Sequence, residues 1–196
     1  MDSLLHRKES IILSTIDLID KYGIHQVSTR EIAKHEGITE GAIYRHFENK
    51  NELLLEVLEY FSKYDKDIFY TANQKGSSLE AIIFVIDSLT SYYENYPAIT
   101  AILKSLDIMR YDKELKGKAE GIITNRFESF QKIIQKGQMK EQISPTMNSE
   151  VMADIIIGTF VGICSRWRMQ GYSFSLRDKT ISAIQIILDH LNQKNI

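Results

Sequence analysis

Several things are scarce in this chain, and each scarcity excludes something. One cysteine in 196 residues leaves no intramolecular disulfide framework and no Cys-rich metal site, and fits a reducing compartment, so the expected address is the cytoplasm. Two prolines leave room for long uninterrupted helices. Net charge is nearly absent, with 24 Lys+Arg against 26 Asp+Glu for a formal -2, which speaks against bulk attraction to nucleic acid. Long apolar runs are missing too: the longest uncharged stretch, 155–165, falls far short of the ~18 residues that span a bilayer. The opening MDSLLHRKES has no apolar core before a small-residue cleavage site, so no secretory signal is expected. Neither HExxH nor HxxxH spacing occurs, nor a Gly-rich phosphate loop, so no metal and no cofactor are expected.

What remains is 43% hydrophobic and 26% charged, an ordinary globular composition with enough chain for a real core. Strand signals are absent, and apolar residues recur at three- and four-residue spacing almost throughout. The expected fold is all-α, with about nine helices. Ile12, Ile16 and Ile19 share one face of a first helix over about 3–22, which Gly23 ends. Ser28-Thr29-Arg30-Glu31 reads as a capping box opening a short helix to about His35. Gly37-Ile38 breaks the chain, and Thr39 caps another short helix to Phe47. A second box, Asn49 to Glu52, opens a helix of roughly 20 residues to about Asn73. Ser77 and Glu80 start a helix bearing Leu79, Ile82, Ile83, Ile86 and Leu89. Further helices are expected from Pro97 to about Met109, Asp112 to about Gly137, Glu150 to Gln170, and from a Ser175/Asp178 cap to about Leu191.

Helices two and three, short and joined by a tight glycine turn, outline a helix-turn-helix, whose second short helix enters the major groove. TEGAIYRHFENK inters Ile43 and Phe47 at i, i+4. That leaves Thr39, Glu40, Gly41, Tyr44, Arg45 and His46 on or beside the outer face, small residues where base edges would lie and polar rings and cations where phosphates would. Residues 1–50 hold 7 Lys+Arg against 8 Asp+Glu, so placement of charge rather than its total has to do the work.

The segment STREIAKHEGITEGAIYRHFENKNEL resembles the DNA-binding signature of TetR-family transcriptional regulators over about the first 55 residues; beyond it the resemblance is one of architecture. It implies a three-helix helix-turn-helix domain over 1–50 and a helical ligand-binding and dimerisation domain over 51–196. It implies that Thr29 and Arg30 contact phosphate, the Arg also a base, that Thr39, Glu40, Gly41 and Ala42 form the leading edge of the recognition helix, and that Tyr44, His46 and Lys50 clamp phosphate. The implied partners are double-stranded operator DNA, a small-molecule effector of unknown identity and a second copy of the chain. The implied function is a repressor released from a palindromic operator in the cytoplasm, associated with the nucleoid.

For an effector pocket the candidates are Phe84, Tyr93, Phe127, Phe160 and Trp167, which suit a largely apolar compound, with Arg110, Arg126, Arg166 or Arg168 available to an anionic head group. For the dimer, Gly158 and Gly162 lie on one face of the most apolar helix, where missing side chains let another helix approach. Ile184 and Leu188 of the last helix, beside Ile181, Ile187 and Leu191, would complete a four-helix bundle between two copies. Two rivals stand beside this reading. An enzyme would need Cys164 as nucleophile, yet no histidine is placed to pair with it. A ligand-independent DNA-organising or interaction protein would use the same scaffold without an effector.

Overall fold

In a computed structural model the described residues are 2–191; the side chains at 2–5, 190 and 191 lie outside the description, and with them His190 and the expected contribution of Leu191. Among the described residues there are ten α-helices, two short 3-10 turns and no strand. The helices are α1 (Asp2–Tyr22), α2 (Thr29–Glu36), α3 (Glu40–Ile43), α4 (Lys50–Ser62), α5 (Asp65–Asn73), α6 (Ser78–Asn95), α7 (Thr100–Met109), α8 (Lys116–Met139), α9 (Ser149–Met169) and α10 (Leu176–Leu191).

Most boundaries follow from local chemistry. Ser28 caps α2 in a closed box: the Glu31 amide donates to the Ser28 hydroxyl (3.3 Å), and the Ser28 amide to the Glu31 carboxylate (3.1 Å). Ser77 and Glu80 repeat the arrangement before α6, and the Asp178 amide donates to Ser175 Oγ at 3.0 Å before α10. Gly37, in the left-handed region at φ 67°, ends α2. Pro97 opens a 3-10 turn that leads into α7.

Several boundaries and caps differ from the sequence-based expectation. The long fourth helix is two: α4 stops at Ser62 and α5 starts at Asp65, which accounts for the tenth helix. Neither Gly nor Pro marks this break. Ser62 Oγ instead donates to the Leu58 carbonyl at 3.0 Å, a bond that bends helices, and the Asp65 carboxylate is taken up by Arg126. The recognition segment is helical only over Glu40–Ile43, then tightens into a turn as the His46 and Phe47 amides both donate to the Ile43 carbonyl. Thr39 occupies the cap position of α3, but its hydroxyl makes no capping bond. Asn49 does cap α4, donated to by the Glu52 amide at 2.9 Å, while the Glu52 carboxylate accepts from the Glu48 amide rather than closing the box. Finally, α8 runs past Gly137 to Met139. A Cβ at Gly137 would lie 2.8 Å from both Ile143 and Ser78, so this glycine permits close packing and stops nothing.

The chain forms two compact units. The first comprises residues up to Lys63 with Tyr96–Ile122, the second Tyr64–Asn95 with residues from Ile123 onward. The helix starting at Lys50, expected in the second domain, therefore lies in the first unit. Its Leu53, Leu54, Val57, Leu58 and Phe61 are buried there, and Lys8 reaches Glu56 at 2.7 Å. A three-helix segment of about 50 residues has little core of its own, and α4 and α7 enlarge it. In the second unit α6 packs on α5 and α10, and α9 packs on α10, burying Ile82, Ile86, Tyr93, Phe130, Ile134, Phe160 and Ile184.

Candidate functional site

The short α3 is held against the first unit by Ile43 and Phe47, 1% exposed each. Its other side faces outward: Arg30, Thr39, Glu40, Gly41, Tyr44 and Arg45 are exposed, and His46 and Lys50 half-buried. Thr29 departs from this, being buried. Its hydroxyl donates to the Glu40 carboxylate and lies 3.3 Å from the Tyr44 hydroxyl. Arg7, Lys8 and Lys118 of the same unit pair with Glu36, Glu56 and Glu59, whereas among the described residues no carboxylate pairs with Arg30, Arg45 or Lys50. An outward face of small groups, hydroxyls and uncompensated cations, on a unit with no bulk positive charge, is chemically suited to phosphates and base edges.

The five aromatic candidates for an effector pocket do not gather around one cavity. Tyr93 and Phe160 are buried and stacked, ring centres 5.7 Å apart. Trp167 is buried against Tyr172 and donates to the Phe174 carbonyl at 2.8 Å; Phe127 is half-buried. Phe84 lines a groove of about 660 Å³ between α6 and α10, together with Leu79, Ile83, Ile181 and Leu188. Aromatics at helical spacing have gone into core, where their large apolar area is best buried.

The residue that sequence reasoning underrated is Arg126, expected as one of four arginines available to an anionic head group. It is 6% exposed and is the one charged side chain among the buried described residues. Its Nε and Nη2 donate to the two Asp65 oxygens at 2.6 and 2.9 Å, and Nη1 donates to Tyr93 Oη at 3.2 Å. Burial opposes the guanidinium charge, but Tyr93 and Asp65 outweigh it and hold the group above its ordinary value. Burial also pushes the Tyr93 phenol up to about 12, against the lowering pull of Arg126. The other three arginines sit elsewhere: Arg110 pairs with Asp107 at 2.9 Å, Arg166 lies over the Phe174 ring, and Arg168 donates to Tyr172 Oη.

Two family descriptions match the chain: bacterial regulatory proteins of the tetR family over residues 11–57, and the C-terminal region of YsiA-like proteins over 59–190. The chain belongs to the TetR family. Among its relatives is the fatty acid metabolism regulator protein of Bacillus subtilis, 22% identical over 94% of this chain and 95% of that one. Another is the nucleoid occlusion factor SlmA of Vibrio cholerae, 21% identical over 87% of this chain and 88% of that one. The crystal structure of the regulator FadR from Bacillus subtilis in complex with stearoyl-CoA superposes with a TM-score of 0.79 at 22% identity, covering 92% of this chain and 97% of that one.

As a TetR-family member the chain is a transcriptional regulator rather than an enzyme. Cys164, the one thiol, is buried, and among the described residues no cluster of His, Cys, Asp and Glu is arranged to hold a metal. No helix of the described residues is long and apolar enough to cross a membrane. The surface named for dimer contact divides. Gly158 and Gly162 are exposed on α9, and a Cβ at either would meet nothing within 4 Å, so this TetR-family chain does not use them for packing within the protomer. Ile184 and Leu188 are buried instead, 0% and 2% exposed: α10 turns that stripe inward and presents Ile186, while α9 presents Val151 and Ile155.

Proposed function

We propose that this TetR-family regulator is a homodimeric repressor that holds a palindromic operator and lets go when a fatty acyl-CoA binds its second unit. The observation that carries the DNA half is the outward face of α2, α3 and the start of α4, where among the described residues no carboxylate pairs with Arg30, Arg45 or Lys50. Arg30, Thr39, Glu40, Gly41, Tyr44, Arg45, His46 and Lys50 are its working set, with the buried Thr29 behind them holding Glu40. Two such faces in a symmetric dimer would meet half-sites about one DNA turn, ~34 Å, apart. The dimer forms through the exposed α9 surface of Val151, Ile155, Gly158 and Gly162 with the outer side of α10 around Ile186. The acyl-CoA class is supported by the relative solved with stearoyl-CoA, and the groove between α6 and α10, lined by Leu79, Ile83, Phe84, Ile181 and Leu188, offers an aliphatic chain apolar contact. A regulator of this kind works in the cytoplasm, on the nucleoid.

Release requires that the effector favour a state that fits the operator poorly, because a ligand shifts an equilibrium only by differential affinity. The break between α4 and α5 removes a continuous lever from Lys50 into the second unit. The chain instead crosses between the units at 63/64, 95/96 and 122/123, and Asp65, Tyr93 and Arg126 each lie within four residues of one crossing.

The test is a mobility-shift titration with duplexes from the protein's own promoter region, followed by stearoyl-CoA. Binding in nanomolar protein with release by micromolar stearoyl-CoA supports the proposal; absence of binding refutes the DNA half. A second reading, a ligand-independent DNA-organising protein, is favoured by the similarity to the nucleoid occlusion factor. It predicts DNA binding that no acyl-CoA reverses.

A further inference from the structure

A carboxylate is out of place on a surface that approaches a polyanion, yet α3 begins with an exposed Glu40. Its side chain is also restrained. Thr29, buried on α2, gives its hydroxyl hydrogen to Glu40 Oε1, and the Tyr44 hydroxyl stands 3.3 Å from the same Thr29 oxygen. Thr29 has one hydrogen, and Glu40 takes it, so the Tyr44 hydroxyl is the donor in the second bond. The three side chains form a chain of hydrogen bonds that ends on the carboxylate: Tyr44 to Thr29 to Glu40. Both hydroxyl hydrogens are thereby committed within the protein, and phosphate oxygens, which only accept, are not offered them. The neighbours Gly41 and Ala42 carry no polar side chain, so Glu40 is the polar group left at the leading edge beside Thr39.

Resting on the DNA-binding reading above, we propose that Glu40 is the base-selecting residue of α3, accepting a hydrogen bond from the exocyclic N4 amino group of a cytosine in the major groove, with Thr29 and Tyr44 as its positioning residues. A carboxylate accepts and cannot donate. Guanine shows it two acceptors, O6 and N7, and thymine an acceptor and a methyl group, so both are rejected. Adenine offers the N6 amino group beside the N7 lone pair, which faces the second carboxylate oxygen with like polarity. Cytosine offers the N4 donor beside its C5–H, with no acceptor of its own on that edge. The Thr29 bond fixes one oxygen of Glu40, and so removes side-chain freedom that would otherwise be lost on binding.

The experiment selects duplexes for the wild-type protein from a randomised pool, then measures affinity for all four bases at each position of the recovered half-site. The expected profile has one position per half-site at which C is preferred about tenfold or more. Glu40→Gln moves that preference to A, because an amide supplies both the acceptor and the donor that adenine requires, while the other positions keep theirs. Glu40→Ala abolishes it, Thr29→Val weakens it, and Thr29→Ser restores it. Glu40 is exposed, so its variants fold; should Thr29→Val fail to melt cooperatively, the Glu40 pair and Thr29→Ser decide. A wild-type profile without a preferred C, or a Glu40→Ala protein that binds every duplex more tightly with an unchanged profile, overturns the proposal, since the acid would then only repel phosphate. A wild-type protein that recovers no duplex overturns the DNA-binding reading and this inference together.

Discussion

Removing the Asp65 carboxylate is the sharpest perturbation this fold offers. Asp65→Leu leaves the guanidinium of Arg126 at 6% exposure without the two oxygens it meets at 2.6 and 2.9 Å. An uncompensated buried charge costs about 3–5 kcal/mol, a large part of the roughly 5–15 kcal/mol that stabilises a domain. At roughly 2–4 °C per kcal/mol for a chain of this size, Tm should fall by about 6–20 °C. The double variant Asp65→Leu/Arg126→Met should recover most of that loss, because an apolar pair of similar volume in place of a buried ion pair is often neutral or better. Urea unfolding at neutral pH, followed by far-UV circular dichroism with the m-value compared across variants, gives the free energies, and thermal melts give Tm. An Asp65→Leu protein within 1 kcal/mol of wild type, or a double variant as unstable as the single, would refute the reasoning, for it would mean that water reaches Arg126.

Tyr93 sets an alkaline limit on stability. Its phenol ionises near 10.0 in the unfolded chain and at about 12 when folded, so above the lower value the unfolded state loses its proton first and stability falls as pH rises between the two, by up to ~3 kcal/mol; Tyr93→Phe should flatten that part of a pH–stability curve. Lys50→Ala should weaken binding uniformly across duplex sequences and lower the slope of log affinity against log salt by about one per protomer, and retained wild-type affinity would remove Lys50 from the interface. Gly158→Leu should leave the monomer's melting unchanged or raise it slightly, since nothing lies within 4 Å of the new Cβ and glycine costs ~1 kcal/mol inside a helix, while analytical ultracentrifugation should show the dimer dissociating; an intact dimer would place the interface elsewhere.

How much was legible in the residues depended on whether the deciding interaction was local. Ser28 with Glu31, Ser77 with Glu80, Gly37 and Pro97 act over three or four residues, and their caps and stops are where the sequence puts them. Ile43 and Phe47, spaced by four, are both buried, and the opposite face of α3 is exposed as a consequence. Thr29 is the instructive exception within the candidate site. It stands on the helix that should touch phosphate, yet it is buried, and its hydroxyl is taken by Glu40, eleven residues away on another helix.

The amino-acid sequence by itself determined an all-helical chain, the positions of its capped ends, and a helix-turn-helix face whose charge is arranged rather than abundant, since periodicity and capping are properties of neighbouring residues. Tertiary structure alone decided the break at Lys63–Tyr64, the inward turn of Ile184 and Leu188, the packing of Tyr93 and Phe160 into core and the burial of Arg126 on Asp65. Each of those depends on which elements meet across a long stretch of chain: Asp65 and Arg126 are 61 residues apart. A helix that is apolar on more than one side carries no local mark of which side a neighbour will cover, and a net charge near zero carries none of where each cation will stand.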